Sequence, residues 1–277
     1  MSPLQMNNVF HYPTTSDSRS PCPALNTLAN HGYIRRSGTQ ITLFVLTRTL
    51  VHVYNVSFLL AFILAFTGFI TCGTFRFEVD QMNDYLGSST RRKSLSVFPR
   101  LLSCVPRLRW TLDLADLSKR GPLCIAHNGS LVHPDSVSSS APDPTLVKEL
   151  LHYANLTSAC ENAPIPGLSL VNLARFHSQR VASSETPLNK LHKHISRSES
   201  ALLWALMHDR AEEDEKLRDE DSEVPVIPLS RLEQWLGQER LPDGWWDEGG
   251  VRPVKTVGLR DARRQSNVIQ ALIDGHF

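Results

Sequence analysis

Residues 20–34 read SPCPALNTLANHGYI, and this stretch decides how the first part of the chain folds. Proline is favoured at the first position of a helix and glycine just beyond its end, so Pro23 and Gly32 predict a short helix between them. Cys22 stands immediately before that helix, where exposed N–H groups and the helix dipole stabilise a thiolate. The flanking prolines fix the backbone that presents the sulfur. Cys22 is therefore a candidate thiolate ligand, with a buried, inert thiol as the alternative.

The residues before this helix are polar and rich in turn formers. Residues 1–20 are therefore interpreted as a mobile N-terminal arm or as a peripheral strap. They lack the basic segment and the apolar core of a secretory signal, which predicts an intracellular protein for the sequence as given. Residues 21–277 are expected to form one domain, because a chain of 277 residues can fold around a single core.

Composition and charge are those of an ordinary globular protein. The hydrophobic fraction of 41% and the charged fraction of 21% exclude wholesale disorder. Because 29 basic residues face 28 acidic ones, the net charge is only +1, and a nucleic-acid binder is not expected. The five cysteines include no CxxC pair and no Cys/His spacing typical of a zinc site.

Helical periodicity dominates the patterned parts of the chain. Residues 42–53 place their apolar side chains on one side of a helix. Further helices are predicted over 143–154, 168–177, 187–208, 230–237 and 257–273. No series of alternating polar and apolar residues indicates a strand. The predicted class is all-α, in a single compact helical domain.

Two segments need separate interpretations. Residues 56–75 carry no charge, but polar residues dilute the run and its tightly apolar part, 58–66, is short. A buried helix is favoured, with a membrane anchor through 56–75 as the alternative, since about 20 apolar residues can span a bilayer. Residues 76–108 show no sustained period, and a loop of that length is uncommon in a compact domain. This block is predicted to be an insertion, either a surface loop or an intron retained in the gene model.

The stretch 20–34 is similar to the signature of the chloroperoxidase-type family of fungal haem-thiolate peroxidases and peroxygenases. In that family a cysteine between two prolines is the proximal haem ligand, and a helix ending in Asn-His-Gly follows it. Other stretches that look like the family follow in the same order, at 53–57, 110–118, 143–151, 171–176 and 240–245. The resemblance covers most of the chain and fails mainly over 76–108.

This resemblance implies a haem b cofactor, with Cys22 as the axial ligand of the haem iron, inside a helical domain that encloses the haem. It implies that hydrogen peroxide and a small organic substrate are the reactants, the substrate being oxidised, oxygenated or halogenated. Sulfur ligation suits this chemistry, because a thiolate pushes electron density onto haem iron and favours cleavage of the O–O bond.

On its distal side the family carries Glu-His-Asp-x-Ser, whose glutamate and serine help to hold a magnesium or manganese ion. The matching residues 126–130 read Ala-His-Asn-Gly-Ser. Ala126 removes the charged metal ligand, and Asn128 replaces the carboxylate that would orient His127. Hard cations prefer anionic oxygen ligands, so magnesium or manganese binding is doubtful and Ser130 is only a weak candidate ligand.

In the family a distal glutamate from a later helix moves a proton between the two peroxide oxygens. Glu199 precedes an apolar helical run and is the matching candidate, with His127 supporting it electrostatically. The alternatives are that Glu199 only favours its helix from an exposed face and that His127 is a polar loop residue. The predicted function is a haem-thiolate peroxidase or peroxygenase. Its rival is a catalytically degenerate, membrane-associated relative that keeps the fold without turnover.

Overall fold

The computed structural model describes residues 8–78, 107–135, 139–160, 165–184, 186–209 and 225–275. The helices are α1 Pro23–Asn30, α2 Leu43–Tyr54, α3 Phe58–Cys72, α4 Pro144–Cys160, α5 Leu170–Ala182, α6 Lys190–Met207, α7 Leu229–Leu232 and α8 Leu259–Asp274. A π-helical turn, Glu233–Gly237, continues α7, and a short 3-10 helix spans Leu114–Ser118. The mainly helical class is confirmed, whereas enclosure of a haem stays a prediction.

Two small antiparallel sheets accompany the helices, and the sequence did not predict them. The strands are β1 Ile41–Thr42, β2 Thr74–Glu78, β3 Arg107–Leu112, β4 Gly167–Ser169 and β5 Val226–Pro228. The first sheet has the order β1-β3-β2, and β4 pairs with β5 in the second. Strands of two or three residues are too short to show an alternating pattern, which explains why β1, β4 and β5 escaped prediction.

Helix α3 buries one face and exposes the other. Leu60 and Phe69 are buried, and the Phe69 ring packs edge-on against Trp110 of β3 with ring centroids 5.3 Å apart. Phe58 and Ile70, on the other face, are more than half exposed. The prediction of a buried helix therefore holds for one face only. Within the described ranges, no helix combines the length and the apolar character needed to cross a bilayer.

Helix α1 is held in place by an aromatic cluster. Tyr54, at the end of α2, donates its hydroxyl hydrogen to the carbonyl of Ala24 at 2.7 Å. The rings of Trp235 and Trp245 pack edge-on against Tyr54, with centroids 6.1 and 5.9 Å away. Because buried aromatic rings contribute large apolar areas, this cluster ties α1, α2 and the π-helical turn into one core and positions Cys22.

The C-terminal end of the arm 1–20 and both ends of the block 76–108 belong to the folded domain. Ser18 donates its backbone N–H to the carbonyl of Ser37 at 2.8 Å, and Arg19 is buried. Residues 1–7 lie outside the described residues, so the mobility of the arm stays a prediction. The proposed insertion 76–108 begins and ends in the paired strands β2 and β3. Its central part, 79–106, lies outside the described residues, so the insertion also stays a prediction.

Candidate active site

Cys22 occupies the N-cap position of α1 in an extended conformation. Burial, reinforced by the negative charges of Glu199 and Glu239, raises the pKa of the Cys22 thiol to about 11. The backbone N–H groups of Leu25 and Ala24 hydrogen-bond to the sulfur and lower this pKa, as the position at a helix start predicts, but burial outweighs them. The protein alone therefore keeps the sulfur protonated at neutral pH, and a cation bound to the sulfur would lower this pKa.

A buried hydrogen-bond network anchors the backbone around Cys22. Asn26 Oδ1 accepts the backbone N–H of Ser20 at 2.8 Å, and Asn26 Nδ2 donates to the Ser20 carbonyl at 2.7 Å. The same amide nitrogen donates to Glu239 Oε1 at 2.6 Å. One turn later, Asn30 Nδ2 donates to the Glu239 carbonyl at 3.1 Å. Because these buried polar groups satisfy one another, the loop that presents the sulfur is held in one conformation.

Glu239 is the member of this network that sequence reasoning missed. Only 5% of the residue is exposed, and its φ of 51° lies in the left-handed region. Burial raises the pKa of its carboxyl to about 7, while the hydrogen bond from Asn26 and the charge of Arg19 act in the opposite direction. No local pattern marks this residue, because its role arises from a contact with a helix more than two hundred residues earlier in the chain.

We expect Glu239→Gln to remove a pH dependence of folding stability. The raised pKa means that the folded state binds this proton more tightly than the unfolded state. The contribution of Glu239 to stability is therefore full at low pH and is lost as the pH rises from 4.5 to about 7. The loss is about 3 kcal/mol. Urea unfolding of the native chain and the variant at about pH 5 and about pH 8 measures it.

The variant should gain stability over the native chain as the pH rises, since glutamine keeps the acceptor oxygen and cannot ionise. Glu149→Gln, on the exposed face of α4, is the matched control and should change neither value. A difference in unfolding free energy that is the same at both pH values would contradict the assigned pKa.

Glu199, on α6, meets the loop that carries residues 126–130. Its Oε2 lies 3.5 Å from Nε2 of His127, and its Oε1 accepts a hydrogen bond from Ser130 Oγ at 3.1 Å. Burial raises the pKa of Glu199, while His127 and Ser130 act in the opposite direction. The side chain is 28% exposed, so the carboxyl group is recessed but reachable. The fold thus brings together Glu199, His127 and Ser130, the three residues that the sequence singled out as distal candidates.

The hydrogen bonds of His127 determine where its protons lie. Nδ1 is 2.8 Å from the backbone carbonyl of Asn128, and a carbonyl can only accept, so Nδ1 carries a hydrogen. Nε2 then faces Glu199 Oε2 at 3.5 Å. A carboxyl group beside an imidazole is a candidate acid–base pair.

A glycine turn presses this loop against α5. Gly129 has a φ of 70°, and a Cβ at this position would lie 3.1 Å from Val181 Cα, so both the conformation and the close approach require glycine. Its N–H donates to Asp135 Oδ1 at 2.7 Å. The carbonyl of Ser130 accepts from Arg180 Nε at 3.0 Å. These contacts fix the residues on both sides of the turn relative to α5.

The Asn128 side chain does not orient His127. Its amide nitrogen donates to Thr186 Oγ1 at 2.7 Å, and its side-chain oxygen accepts from Arg120. The backbone carbonyl of the same residue binds the imidazole instead. The hydroxyl of Ser130, the weak candidate for a metal ligand, donates a hydrogen bond to the Glu199 carboxylate. In the part of the chain that the structure describes, no group of three or more His, Cys, Asp or Glu side chains is placed to hold a metal ion.

Two buried histidines, to which the sequence assigned no role, lie near this pair. Burial and then the charge of His127 lower the pKa of both His133 and His177 to about 4, so both are neutral at pH 7. His177 Nδ1 lies 3.1 Å from the hydroxyl of Ser200, the residue after Glu199. His133 is 3% exposed, and neither of its ring nitrogens has a hydrogen-bond partner among the described residues.

The surroundings of Cys22 fit a ligand of haem iron. The sulfur accepts two amide N–H groups that favour its ionised form, and a cation such as ferric iron would favour that form further. The negative charge of Glu199 acts on the same thiol, so the proximal and distal candidates lie within electrostatic reach of each other. The donor set therefore matches a haem held through sulfur, with a carboxyl group available nearby.

Comparison with known proteins leads to the same family. The family described as "Peroxidase, family 2" matches residues 8–249. A chloroperoxidase of Leptoxyphium fumago is 58% identical over 38 residues, which are 13% of this chain and 10% of that protein. The matched region is thus a small part of that relative. The family match, by contrast, extends over most of the chain and confirms the resemblance of residues 20–34: the chain belongs to peroxidase family 2.

Proposed function

We propose that this chain is a haem-thiolate peroxidase or peroxygenase that uses hydrogen peroxide to oxidise, oxygenate or halogenate a small organic substrate. The observation that carries the proposal is the recessed pair of Glu199 and His127, whose facing atoms lie 3.5 Å apart. Cleavage of peroxide needs an acid–base group that moves a proton from one oxygen to the other. Membership of peroxidase family 2 supports the same chemistry.

In this proposal Cys22 holds haem b through its sulfur. Iron bound in this way supplies the oxidising chemistry, because the thiolate pushes electron density that favours O–O cleavage. The N–H groups of Ala24 and Leu25 orient the sulfur and stabilise its negative charge. The hydrogen bond between Asn26 and Glu239 keeps the presenting loop in place when the ligand bond forms.

Glu199 is assigned the proton transfer. In its ionised form Oε2 accepts a proton from one oxygen of hydrogen peroxide, and its raised pKa makes that proton easier to hold until it is returned to the other oxygen. His127 Nε2 stabilises the ionised carboxylate, and Ser130 fixes its second oxygen. His133 and His177 are neutral at pH 7, so neither adds a positive charge near Glu199.

A catalytically degenerate relative is the second candidate. It is favoured by the loss of both carboxyl groups of the distal motif, at Ala126 and Asn128. Such a protein would bind haem through Cys22 and fail to turn over peroxide. The choice between halogenation and oxygen transfer depends on the pocket around the distal pair.

Spectroscopy of the full chain reconstituted with haem tests the proposal. We expect the reduced CO complex to show the long-wavelength Soret band of thiolate ligation, and the protein to oxidise a small phenol with hydrogen peroxide. A CO complex without that band would overturn ligation by Cys22. The band without peroxide turnover would instead favour the degenerate relative.

A further inference from the structure

Helix α3 and strand β2 expose one apolar surface, which we call the aromatic face. The exposed large apolar side chains of α3 are Phe58, Leu59, Ile63, Leu64 and Ile70. On β2, Phe75 is exposed as well. None of the fifteen residues of α3 carries a charge. Monomeric proteins rarely expose large contiguous apolar patches, and such patches mark sites that bind another protein or a membrane.

A row of aromatic rings joins the helical part of the aromatic face to the sheet. The ring of Phe62 stacks between those of Phe58 and Phe66, with centroids 6.2 and 5.3 Å away. The ring of Trp110, on β3, then packs edge-on against Phe66 at 6.0 Å and stacks on Phe75 at 5.7 Å. Because each ring contacts the next, the exposed side chains of α3 and β2 form one surface and are not isolated apolar residues.

The threonine hydroxyls of α3 are satisfied within the helix itself. Thr67 is exposed, yet its hydroxyl donates to the carbonyl of Ile63 at 2.8 Å. Thr71 donates in the same way to the carbonyl of Thr67 at 2.9 Å. A protein partner usually forms about one hydrogen bond per 100–200 Å² of interface. Hydrocarbon offers none, so polar groups that face it must be satisfied internally, and the aromatic face meets this requirement.

The charges in this part of the chain favour an anionic surface as the partner. Arg48 is exposed on α2, the helix that packs against α3. Residues 18–77, which include both helices, contain no aspartate or glutamate. Asp113, which follows β3, is paired with Arg76 at 2.7 Å. Negatively charged headgroups would therefore be attracted by Arg48 and would meet no acidic side chain from α2 or α3.

We propose that the aromatic face inserts into the surface of a lipid bilayer that carries anionic headgroups. The other side of α3 is buried in the protein core through Leu60 and Phe69, so the helix lies in the plane of the membrane interface. Phenylalanine and leucine are typical of the apolar side of interfacial helices, and nearby basic residues add attraction to anionic lipids. This surface is separate from the groups around Cys22 and Glu199, and the proposal does not depend on the peroxidase function.

Flotation of the full chain with lipid vesicles tests the proposal, using phosphatidylcholine vesicles with and without phosphatidylserine. We expect the chain to float with the anionic vesicles, to bind the neutral ones more weakly, and to lose affinity at high salt. Phe58→Ser and, separately, Ile70→Ser should each weaken the affinity on the order of tenfold, because each removes an apolar side chain from the lipid contact. Arg48→Gln should weaken binding to the anionic vesicles about fivefold.

Leu156→Ser is the matched control, because Leu156 on α4 is 51% exposed, close to the 61% of Phe58, and its loss should leave the affinity unchanged. Thermal unfolding shows which variants are folded. The proposal is overturned if the chain floats with neither kind of vesicle, as expected if a second copy or another part of the chain covered the aromatic face. It is also overturned if folded Phe58→Ser and Ile70→Ser bind as the native chain does, or if neutral vesicles bind as tightly as anionic ones.

Discussion

Replacing Cys22 by alanine should abolish sulfur ligation of haem and with it peroxide-dependent oxidation. Cys22 places its thiol at the start of α1, and the amides of Ala24 and Leu25 hydrogen-bond to that sulfur. We therefore expect the reduced CO complex of Cys22→Ala to lack the long-wavelength band of thiolate ligation. Absorption spectra of the native and variant proteins, reconstituted with the same amount of haem, measure this effect.

Two further variants separate ligation from folding. Cys22→His offers a nitrogen at the same position, so haem that is retained should show the CO spectrum of histidine ligation. Cys124→Ala changes a partly buried thiol elsewhere in the chain and should leave the thiolate band intact. If Cys22→Ala kept that band, another sulfur would be the ligand and the assignment would be wrong.

Glu199→Gln is expected to lower the rate of peroxide cleavage by about 10²- to 10⁴-fold, the usual contribution of a positioned acid–base group. Glutamine keeps the hydrogen bond from Ser130 Oγ but can neither accept nor return a proton. Haem binding and the CO spectrum should stay unchanged, because the substitution leaves Cys22 intact. Stopped-flow measurement of the reaction of the haem-loaded protein with hydrogen peroxide follows the rate directly.

The pH dependence of the same rate gives a second test of Glu199. The native rate should fall as the pH drops through the pKa of this carboxyl group, which burial places above the ordinary range of a glutamate. The Glu199→Gln variant should lack this acidic limb. Glu149→Gln, exposed on α4, should behave like the native chain. An unchanged rate and pH profile in Glu199→Gln would leave the residue with only a structural role.

Most helices could be predicted from the sequence because their signals are local. Ser57 accepts the N–H of Leu60 at the start of α3, and Ser169 caps α5 in the same way. The distal residues could be singled out only through the family resemblance, since His127 and Glu199 lie 72 positions apart and no spacing rule joins them. Glu239 could not be found at all, because its contact with Asn26 joins residues 213 positions apart.

The first sheet shows the same limit. Arg76 opens the stretch 76–108 without sustained period and Arg109 follows its end, and nothing local indicates that the two residues face each other. Their charges appear in the sequence as scattered basic residues with a balanced total. The register of β2 and β3 places them opposite each other, because pairing brings distant residues onto one face.

Cys22 shows which properties follow from the sequence and which depend on the tertiary structure. The sequence by itself determined that a cysteine between prolines opens a helix, because proline and capping preferences act over a few neighbouring residues. It also determined the mainly helical class, because helical periodicity is local. Only the tertiary structure decided that burial holds the thiol pKa at about 11 against the helix amides. Desolvation and long-range charge depend on which distant residues surround a group, and only the folded chain brings Glu199 and Glu239 near this sulfur.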